Sequence, residues 1–484
     1  MTALSRLNWT LPRRVAPTFG RRLETLLLTT LPQSVGLAGS SRVFHQEALV
    51  DAVLNAGLPI APSTTPHAEA RALLEAAAEI EHALLVEYLY AAYSVKPQHG
   101  LRGILIEVAI QEMAHFITVQ NLLLFLGGTP HLDRQDISPN PDLDPFPFRL
   151  SGAAQAQTLE RFILAEMPDL AMLPPDDQAR LSDIRARLDP DGRFRRVGAL
   201  YARLYWLFQD GPHPQGPWPE VASLAELDGF PKWQIGILGN ESAASAETLQ
   251  ASRDEVGPRE SGEQGEIWWQ DYGSGVFRTI SSRVDALAAI HAIAVQGESL
   301  SEQDPSAEPS HFQRFLDALK AGLPPPNQTL ALAENPTLKT VAGATQITDA
   351  VAAALCALFD NRYQILMASL AAALGYSRID AAENARRQLL VGWAFYEMRS
   401  SLRGLAGQIV RRPALAGGAP ATLAAGPTFG WDDAIPSPAD ASALEEHLAE
   451  LHARASRLLG DLRDLGVQSQ ILTSIEAEDQ RRYP

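Results

Sequence analysis

Cysteine is almost absent from the chain, since its 484 residues include only Cys356. One cysteine cannot form an internal disulfide, which excludes a disulfide-stabilised scaffold. Cys356 lies in an apolar helical segment at residues 351–359, where we expect it to pack as a small hydrophobic residue. This cysteine usage fits a cytoplasmic protein, which is the location that we expect.

Long apolar runs and positive charge are also scarce. No uninterrupted apolar stretch reaches the roughly 18 residues of a membrane-spanning helix, so no membrane association is expected. The leucines at residues 26–28 form too short a core for a signal peptide. The 40 Lys and Arg residues are outnumbered by 57 Asp and Glu residues, which gives a net charge of −17. This balance argues against nucleic acid as a partner.

The chain does have ample material for a folded core. Apolar residues make up 46% of it and charged residues 20%, and its length predicts more than one packed unit. We divide it into an N-terminal arm at residues 1–66, a helical bundle at 67–320, a linker at 321–346 and a C-terminal helical region at 347–484. A segment rich in proline and tryptophan, about residues 210–280, is predicted to be an insertion with loops and short strands.

Helix signals punctuate the bundle. Thr65 followed by Pro66 predicts a helix start, and this first helix should end near Tyr93. A second helix should begin near Leu101 and end at the Gly-Gly-Thr-Pro sequence of residues 127–130. Further helices are predicted at residues 155–166, 194–208, 284–296, 311–319, 347–375, 380–410 and 440–465.

The apolar seams of the first two helices contain ionisable residues. Glu81 lies on the first seam, between Ala77 and Leu84. Glu112 and His115 lie on the second seam, as a Glu-x-x-His pair whose members share one helix face. Burying an unpaired carboxylate costs several kcal/mol, so these side chains require a compensating partner, either buried ion pairs or a metal.

A metal is the partner that the spacing favours. Glutamates from facing helices together with Glu-x-x-His pairs are the ligands of ferritin-like di-iron and di-manganese bundles. We therefore predict Glu81, Glu112 and His115 as metal ligands. Candidates for the other half of the site are Glu298, His311 and Glu166, with His291 as a further option. The alternative interpretation is that these carboxylates end helices in solvent and that His311 neighbours an N-cap.

Several motifs resemble one known family. The sequence reads EIEHALLVEYLY at residues 79–90, QEMAH at 111–115, NLL at 121–123 and GGTP at 127–130, with QGE at 296–298 and SHF at 310–312. Later matches are LFDN at 358–361 and AGPTF at 425–429. Over about residues 67–430 the chain resembles the ferritin-like domain of the iminophenylpyruvate dimer synthase family, imine-coupling proteins of violacein-type and related bisindole pathways.

This resemblance implies a mainly α fold, a ferritin-like four-helix bundle with an insertion and additional C-terminal helices. It implies an enzyme with one or two non-haem iron ions, manganese being possible, that oxidises or couples an amino-acid-derived substrate such as an aromatic imine. A homodimer is compatible with it. Ala199 and Gln111 stand where the family has acidic residues, and Ser299 stands where glycine is usual. A smaller ligand set, a non-catalytic metal-binding or scaffolding subunit, and metal-free coupling therefore remain alternatives.

Overall fold

Two long helices, α1 (Pro66–Tyr93) and α2 (Gly100–Phe125), lie side by side along their lengths and form the centre of the molecule. The computed structural model describes residues 8–10, 58–60, 66–134, 148–168, 170, 173–190, 197–208, 280, 283–298, 309–376, 380–430, 434–438 and 440–482. Apart from Ile280, the insertion predicted for about residues 210–280 lies outside them.

The ends of the two central helices follow local sequence rules. Proline is the first residue of α1, where no backbone N–H is needed for the helix. The side chain of His99 caps α2 by accepting a hydrogen bond from the N–H of Leu101. Gly127 adopts a φ of +66°, and the N–H of Gly128 donates to the carbonyl of Leu123 and closes the helix. The predicted bounds of both helices are thus confirmed.

Two further pairs of helices cover one side of this centre. The pair α5 (Val197–Phe208) and α6 (Arg283–Glu298) packs together, and α5 also contacts α1. The pair α3 (Ala156–Glu166) and α7 (His311–Ala321) completes the group, with α4 (Pro175–Leu188) against α3. The elements α1, α2, α5 and α6 correspond to the predicted four-helix bundle, whereas α4 is absent from the helices predicted above.

The C-terminal helices form the other side. Helix α8 (Ala350–Gly375) is the axis, and α9 (Ala381–Tyr396) and α11 (Ala441–Asp464) pack against it. Between α9 and α10 (Arg403–Ile409) the chain makes a π-helix, Glu397–Leu402, where the sequence pattern predicts one continuous α-helix. The last helix, α12 (Gln470–Arg482), also lies beyond the predicted elements.

Strands are short in the described part of the chain. The antiparallel pair β1 (Asn8–Thr10) and β2 (Leu58–Ile60) comes from the predicted N-terminal arm. The parallel pair β3 (Pro336–Thr337) and β4 (Thr345–Gln346) lies in the segment between the two helical groups. The fold is therefore mainly helical, as the sequence predicts.

One continuous core joins the two sides, because buried residues of α1 and α2 belong to the same apolar cluster as those of α8 and α11. Cys356 is buried in this core, as predicted. Among the described helices, α2 is long and apolar enough to cross a membrane, but 89% of its most apolar window is buried inside the protein. A central core helix has this composition without any membrane.

Candidate metal centre

The predicted seams of α1 and α2 face the interior. Their apolar members, Leu74, Ala77, Leu84 and Tyr88 on α1 and Leu105, Val108, Val119 and Leu122 on α2, are buried. The ionisable members are buried equally deeply, since Glu81 and Glu112 are each 1% exposed and His115 is 2% exposed. Helical periodicity therefore brings two carboxylates and an imidazole into the core.

These three side chains form a first group. Nδ1 of His115 lies 2.9 Å from Oε2 of Glu112 and 3.3 Å from Oε2 of Glu81. Each side chain offers one atom, and all three atoms lie within 4.8 Å of one another. That separation allows a single cation to contact all three residues.

A second group shares Glu112 with the first. Nδ1 of His311 lies 2.8 Å from Oε1 of Glu112 and 3.6 Å from Oε1 of Glu166. The atoms of this group also lie within 4.8 Å of one another. Glu112 thus directs one oxygen to each group, and each group adds one further glutamate and one histidine.

Several of the facing atoms have no other role. Oε2 of Glu81, Oε1 of Glu112 and Nδ1 of His311 are buried, and none has a hydrogen bond of acceptable geometry with any described residue. Buried polar atoms without hydrogen bonds are rare in folded proteins, because each costs about 1–3 kcal/mol. Such atoms fit ligands that converge on a cation.

Two glutamines fix the orientation of the imidazoles. Nε2 of His115 lies 2.9 Å from Oε1 of Gln296 on α6, and Nε2 of His311 lies 3.0 Å from Oε1 of Gln111 on α2. An amide oxygen only accepts, so both Nε2 atoms carry a proton and both Nδ1 atoms face the carboxylates, where a bound cation would take the place of the Nδ1 proton. Metal-binding histidines are usually held in this way by an outer partner.

Two tyrosines orient the unshared glutamates. The hydroxyl of Tyr88 donates to Oε1 of Glu166 at 2.6 Å, and the hydroxyl of Tyr201 on α5 donates to Oε1 of Glu81. Burial, followed by the negative charge of these glutamates, raises the pKa of both tyrosines well above its ordinary value. Both hydroxyls therefore stay protonated as donors.

The group as a whole attracts positive charge. Burial and the charge of Glu112 raise the pKa of Glu81 to about 8. Burial would lower the pKa of His311, but Glu112 and Glu166 raise it to about 9. The pKa of His115 is likewise raised well above its ordinary value by Glu112 and Glu81 against the effect of burial. Burial would raise the pKa of Glu112, but His311 and His115 hold it well below its usual range.

Two members of the second group lie at helix ends where the helix dipole disfavours their charge. Glu166 is the last residue of α3, where the helix dipole disfavours a negative charge, and His311 is the first residue of α7, where the dipole disfavours a positive one. A neutral imidazole and a cation-bound carboxylate remove both conflicts.

The space beside the two groups is small. A cavity of about 10 Å³ touches Glu81, Glu112, His115 and Glu166, enough for about one water-sized species. Gly297 contributes to its wall, and a Cβ atom at that position would lie 2.8 Å from Oε2 of Glu166. A side chain at this position would therefore require the carboxylate of Glu166 to shift.

The structure brings together five of the six predicted metal ligands, namely Glu81, Glu112, His115, Glu166 and His311. Glu298 is the last residue of α6, but its side chain lies outside the described residues, as does that of Ala199. His291 is buried and belongs to neither group. The helices α5 and α6 instead supply Tyr201 and Gln296, which are not among the residues predicted from the sequence because neither is charged.

Comparison with known proteins shows which family and which relatives the chain resembles. Residues 74–215 match the ferritin-like family model. The chain is 24% identical over 435 residues to the 2-imino-3-(indol-3-yl)propanoate dimerase of Chromobacterium violaceum, an alignment that covers 81% of this chain and 36% of the relative. It is 26% identical over 459 residues to the dichlorochromopyrrolate synthase of Lentzea aerocolonigenes, covering 84% of this chain and 40% of the relative.

The predicted resemblance is therefore confirmed: the chain contains a ferritin-like domain and is related to an imine dimerase and a dichlorochromopyrrolate synthase. It spans well under half the length of these two relatives. No solved structure matches the chain.

Proposed function

We propose that the chain is a metalloenzyme of specialised metabolism that holds two iron ions and oxidises or couples an amino-acid-derived substrate such as an aromatic imine.

 

Manganese is the alternative metal. One position is formed by Glu81, Glu112 and His115, and the other by Glu112, Glu166 and His311.

The observation that carries this proposal is the sharing of Glu112. Each of its oxygens faces a different histidine, at 2.9 Å for His115 and 2.8 Å for His311. Carboxylate oxygens with imidazole nitrogens are a donor set that suits iron and manganese. Among the described residues, the ion-pair partners of the three carboxylates are the two histidines, His115 and His311, whose positive charge can be lost with a proton.

Bound iron would supply redox chemistry and Lewis acidity at this position. The protein's own residues orient the ligands and exclude water. Gln296 and Gln111 keep both Nδ1 atoms available as ligands, and Tyr201 and Tyr88 hold the unshared carboxylates in place. Burial excludes bulk water, which strengthens each of these electrostatic interactions.

The substrate class rests on the relatives. One is named as a dimerase of an indolic imine and the other as a dichlorochromopyrrolate synthase. The chain spans only 36% and 40% of their lengths, so their activities do not transfer directly to it. We propose an aromatic imine or amine derived from an amino acid as its substrate class.

Metal analysis of the full chain tests the centre. Protein produced with iron or manganese should carry about two equivalents by elemental mass spectrometry. Glu112→Ala should lose both equivalents, whereas Glu81→Ala and Glu166→Ala should each lose mainly one. Glu79→Gln is the matched control, because Glu79 is also a buried glutamate on α1 paired with a histidine, His131 at 2.8 Å, but belongs to neither group. Unchanged metal content in Glu112→Ala would contradict the proposal.

Turnover tests the enzyme assignment separately. The full chain is incubated with an indolic imine generated in place by oxidation of tryptophan, and coupled or oxidised products are measured by mass spectrometry. Product formation that is lost in Glu112→Ala supports a metalloenzyme. Bound metal without conversion would indicate a non-catalytic subunit, and conversion that survives in Glu112→Ala would indicate metal-free coupling.

A further inference from the structure

A second and much larger cavity lies on the other side of α1 and α2. Its volume is about 390 Å³, within the range of small-molecule sites. Its walls come from α1, α2 and α8 and from the π-helix and the start of α10. It shares no lining residue with the small cavity beside the two groups of candidate ligands around Glu112, which are called the carboxylate groups below.

The faces of the two central helices explain this separation. Glu81 and Glu112 face α3, α5, α6 and α7, whereas Leu89 and Met113 face the C-terminal helices. On α2, Met113 directly follows Glu112 and therefore points about 100° away from it. The helix pair thus stands as a wall between the carboxylate groups and the large cavity.

The lining has an unusual composition. Most of it is apolar, and Phe359, Tyr363 and Phe429 form an aromatic cluster with edge-to-face ring contacts. The charged lining residues are three arginines, Arg102, Arg399 and Arg403, and no aspartate or glutamate lines the cavity among the described residues. An apolar site with positive charge and no anion is complementary to an apolar anion.

Two of the arginines, Arg102 and Arg403, are close enough for the charge of one to affect the other. The guanidinium of Arg102 donates to the carbonyls of Ala92 and Val95 at 3.0 and 2.7 Å. Burial lowers the pKa of Arg102, and the charge of Arg403 lowers it further. A carboxylate beside these arginines would relieve their repulsion and form charge-assisted hydrogen bonds.

The π-helix holds part of this wall in place. Its first residue, Glu397, is fully buried and accepts hydrogen bonds from Arg362 at 2.8 Å and Arg482 at 2.7 Å. The following residues Met398, Arg399 and Leu402 line the cavity. Short π-helical segments are frequent at functional sites, and here buried ion pairs anchor one beside the cavity.

We propose that this cavity binds an aromatic monocarboxylate, with its ring against Phe359, Tyr363 and Phe429 and its carboxylate at Arg102 and Arg403. The site is distinct from the carboxylate groups and does not require a metal. The proposal therefore goes beyond the proposed function and stands or falls independently of it.

Calorimetric titration of the full chain tests the site. Indole-3-propanoate is the probe, indole-3-propanamide is its uncharged counterpart, and hexanoate is a carboxylate without a ring. We expect the propanoate to bind about tenfold or more tightly than either comparison compound, the gain of about one charge-assisted hydrogen bond or one buried ring. No binding, or equal binding of the amide, would overturn the proposal.

Variants locate the bound probe. Arg403→Gln, at an exposed position of the cavity mouth, should weaken binding about tenfold, and Met398→Trp should abolish binding by filling the cavity. Arg411→Gln is the control, since Arg411 is exposed and lies outside the cavity lining. Both cavity variants should keep the metal content of the unmodified chain. If Glu112→Ala loses the probe while Arg403→Gln retains it, the probe binds at the carboxylate groups and the proposal is wrong.

Discussion

Two clusters of charged side chains are buried in this protein, and they are balanced in different ways. In the C-terminal helices, an arginine network joins Arg362 and Arg482 to Glu397 and Asp479. Arg362 lies 2.8 Å from Glu397 and 2.7 Å from Asp479, and Arg482 lies 2.7 Å from Glu397. In the carboxylate groups around Glu112, the described ion pairs of the glutamates are all with histidines, His115 and His311, and two tyrosines donate hydrogen bonds.

The difference separates a structural cluster from a binding site. The arginine network neutralises its own carboxylates with permanent charges and bidentate hydrogen bonds, so it needs nothing from outside. The carboxylate groups are balanced by protons on Glu81, His115 and His311, whose pKa values are all raised. Protons at these positions can be exchanged for metal ions, whereas the arginines cannot be displaced.

The largest expected effect comes from unbalancing the arginine network. Arg362→Met leaves Glu397 and Asp479 buried without their main partner, which should lower the free energy of unfolding by about 3–5 kcal/mol. Urea unfolding measures this loss. Arg463→Met is the control, because Arg463 pairs with Glu476 at the surface and its loss should cost less than about 1 kcal/mol. Equal losses of unfolding free energy in the two variants would contradict a structural role for the network.

Glu87 is a buried carboxylate outside both clusters, and the charge of Arg161 and the backbone N–H of Arg149 only partly offset its burial. Burial raises its pKa to about 7 from an ordinary value of 4.5. Between these values the folded protein holds a proton that the unfolded chain releases, so stability falls as pH rises through this window. Glu87→Gln removes the loss and should be more stable than the unmodified chain by up to about 3 kcal/mol above pH 7, with no difference below pH 4.5.

Urea unfolding at several pH values follows this difference. Glu446→Gln is the control, because Glu446 is exposed on α11 and should change stability little at any pH. A gap between Glu87→Gln and the unmodified chain that does not depend on pH would contradict the raised pKa.

A bound metal should stabilise the protein through the carboxylate groups and not through the arginine network. Mn²⁺ at about 100 times its dissociation constant should raise the free energy of unfolding by about 2.7 kcal/mol. Thermal unfolding with Mn²⁺ and with chelator measures this gain. The gain should vanish in Glu112→Ala and persist in Arg463→Met. Equal stabilisation of Glu112→Ala would place the metal elsewhere.

The smallest predicted effects concern the glutamines that orient the imidazoles. Gln296→Leu and Gln111→Leu should each weaken one metal-binding step about 10- to 100-fold, because the histidine loses the partner that holds its ring. Competition with a chelating dye measures both steps. Gln120→Leu is the control, since Gln120 is a buried glutamine of α2 whose side chain bonds only the backbone of His131. A similar loss of affinity in this control would mean that the effect is a general loss of packing.

Much of the fold follows from local patterns. Proline at the start of α1 and glycine after α2 set helix ends, and the seams around Glu81, Glu112 and His115 were predictable because residues three and four apart share a helix face. The π-helix was not predictable in this way, since its residues continue an ordinary helical pattern and the turn is held by distant partners, Arg362 and Arg482.

The second carboxylate group shows the same limit. Glu166 continues the buried face of Leu159 and Ile163 at the end of α3, but His311 begins α7 on another part of the chain, so periodicity does not bring the two together. Their meeting at Glu112 depends on how α3 and α7 pack together against the central pair. Gln296 and Tyr201 carry no charge pattern and acquire their roles only from their neighbours.

The sequence by itself determined that this chain is mainly helical, that it resembles a ferritin-like domain and that Glu81, Glu112 and His115 point inward, because each of these properties depends on spacing along one helix. Tertiary structure alone decided that Glu112 is shared between two groups, that arginines neutralise one buried cluster and not the other, and that a cavity with three arginines lies behind the central pair. The physical reason is that charge balance and enclosed space are properties of packed helices, and residues far apart in the chain create them.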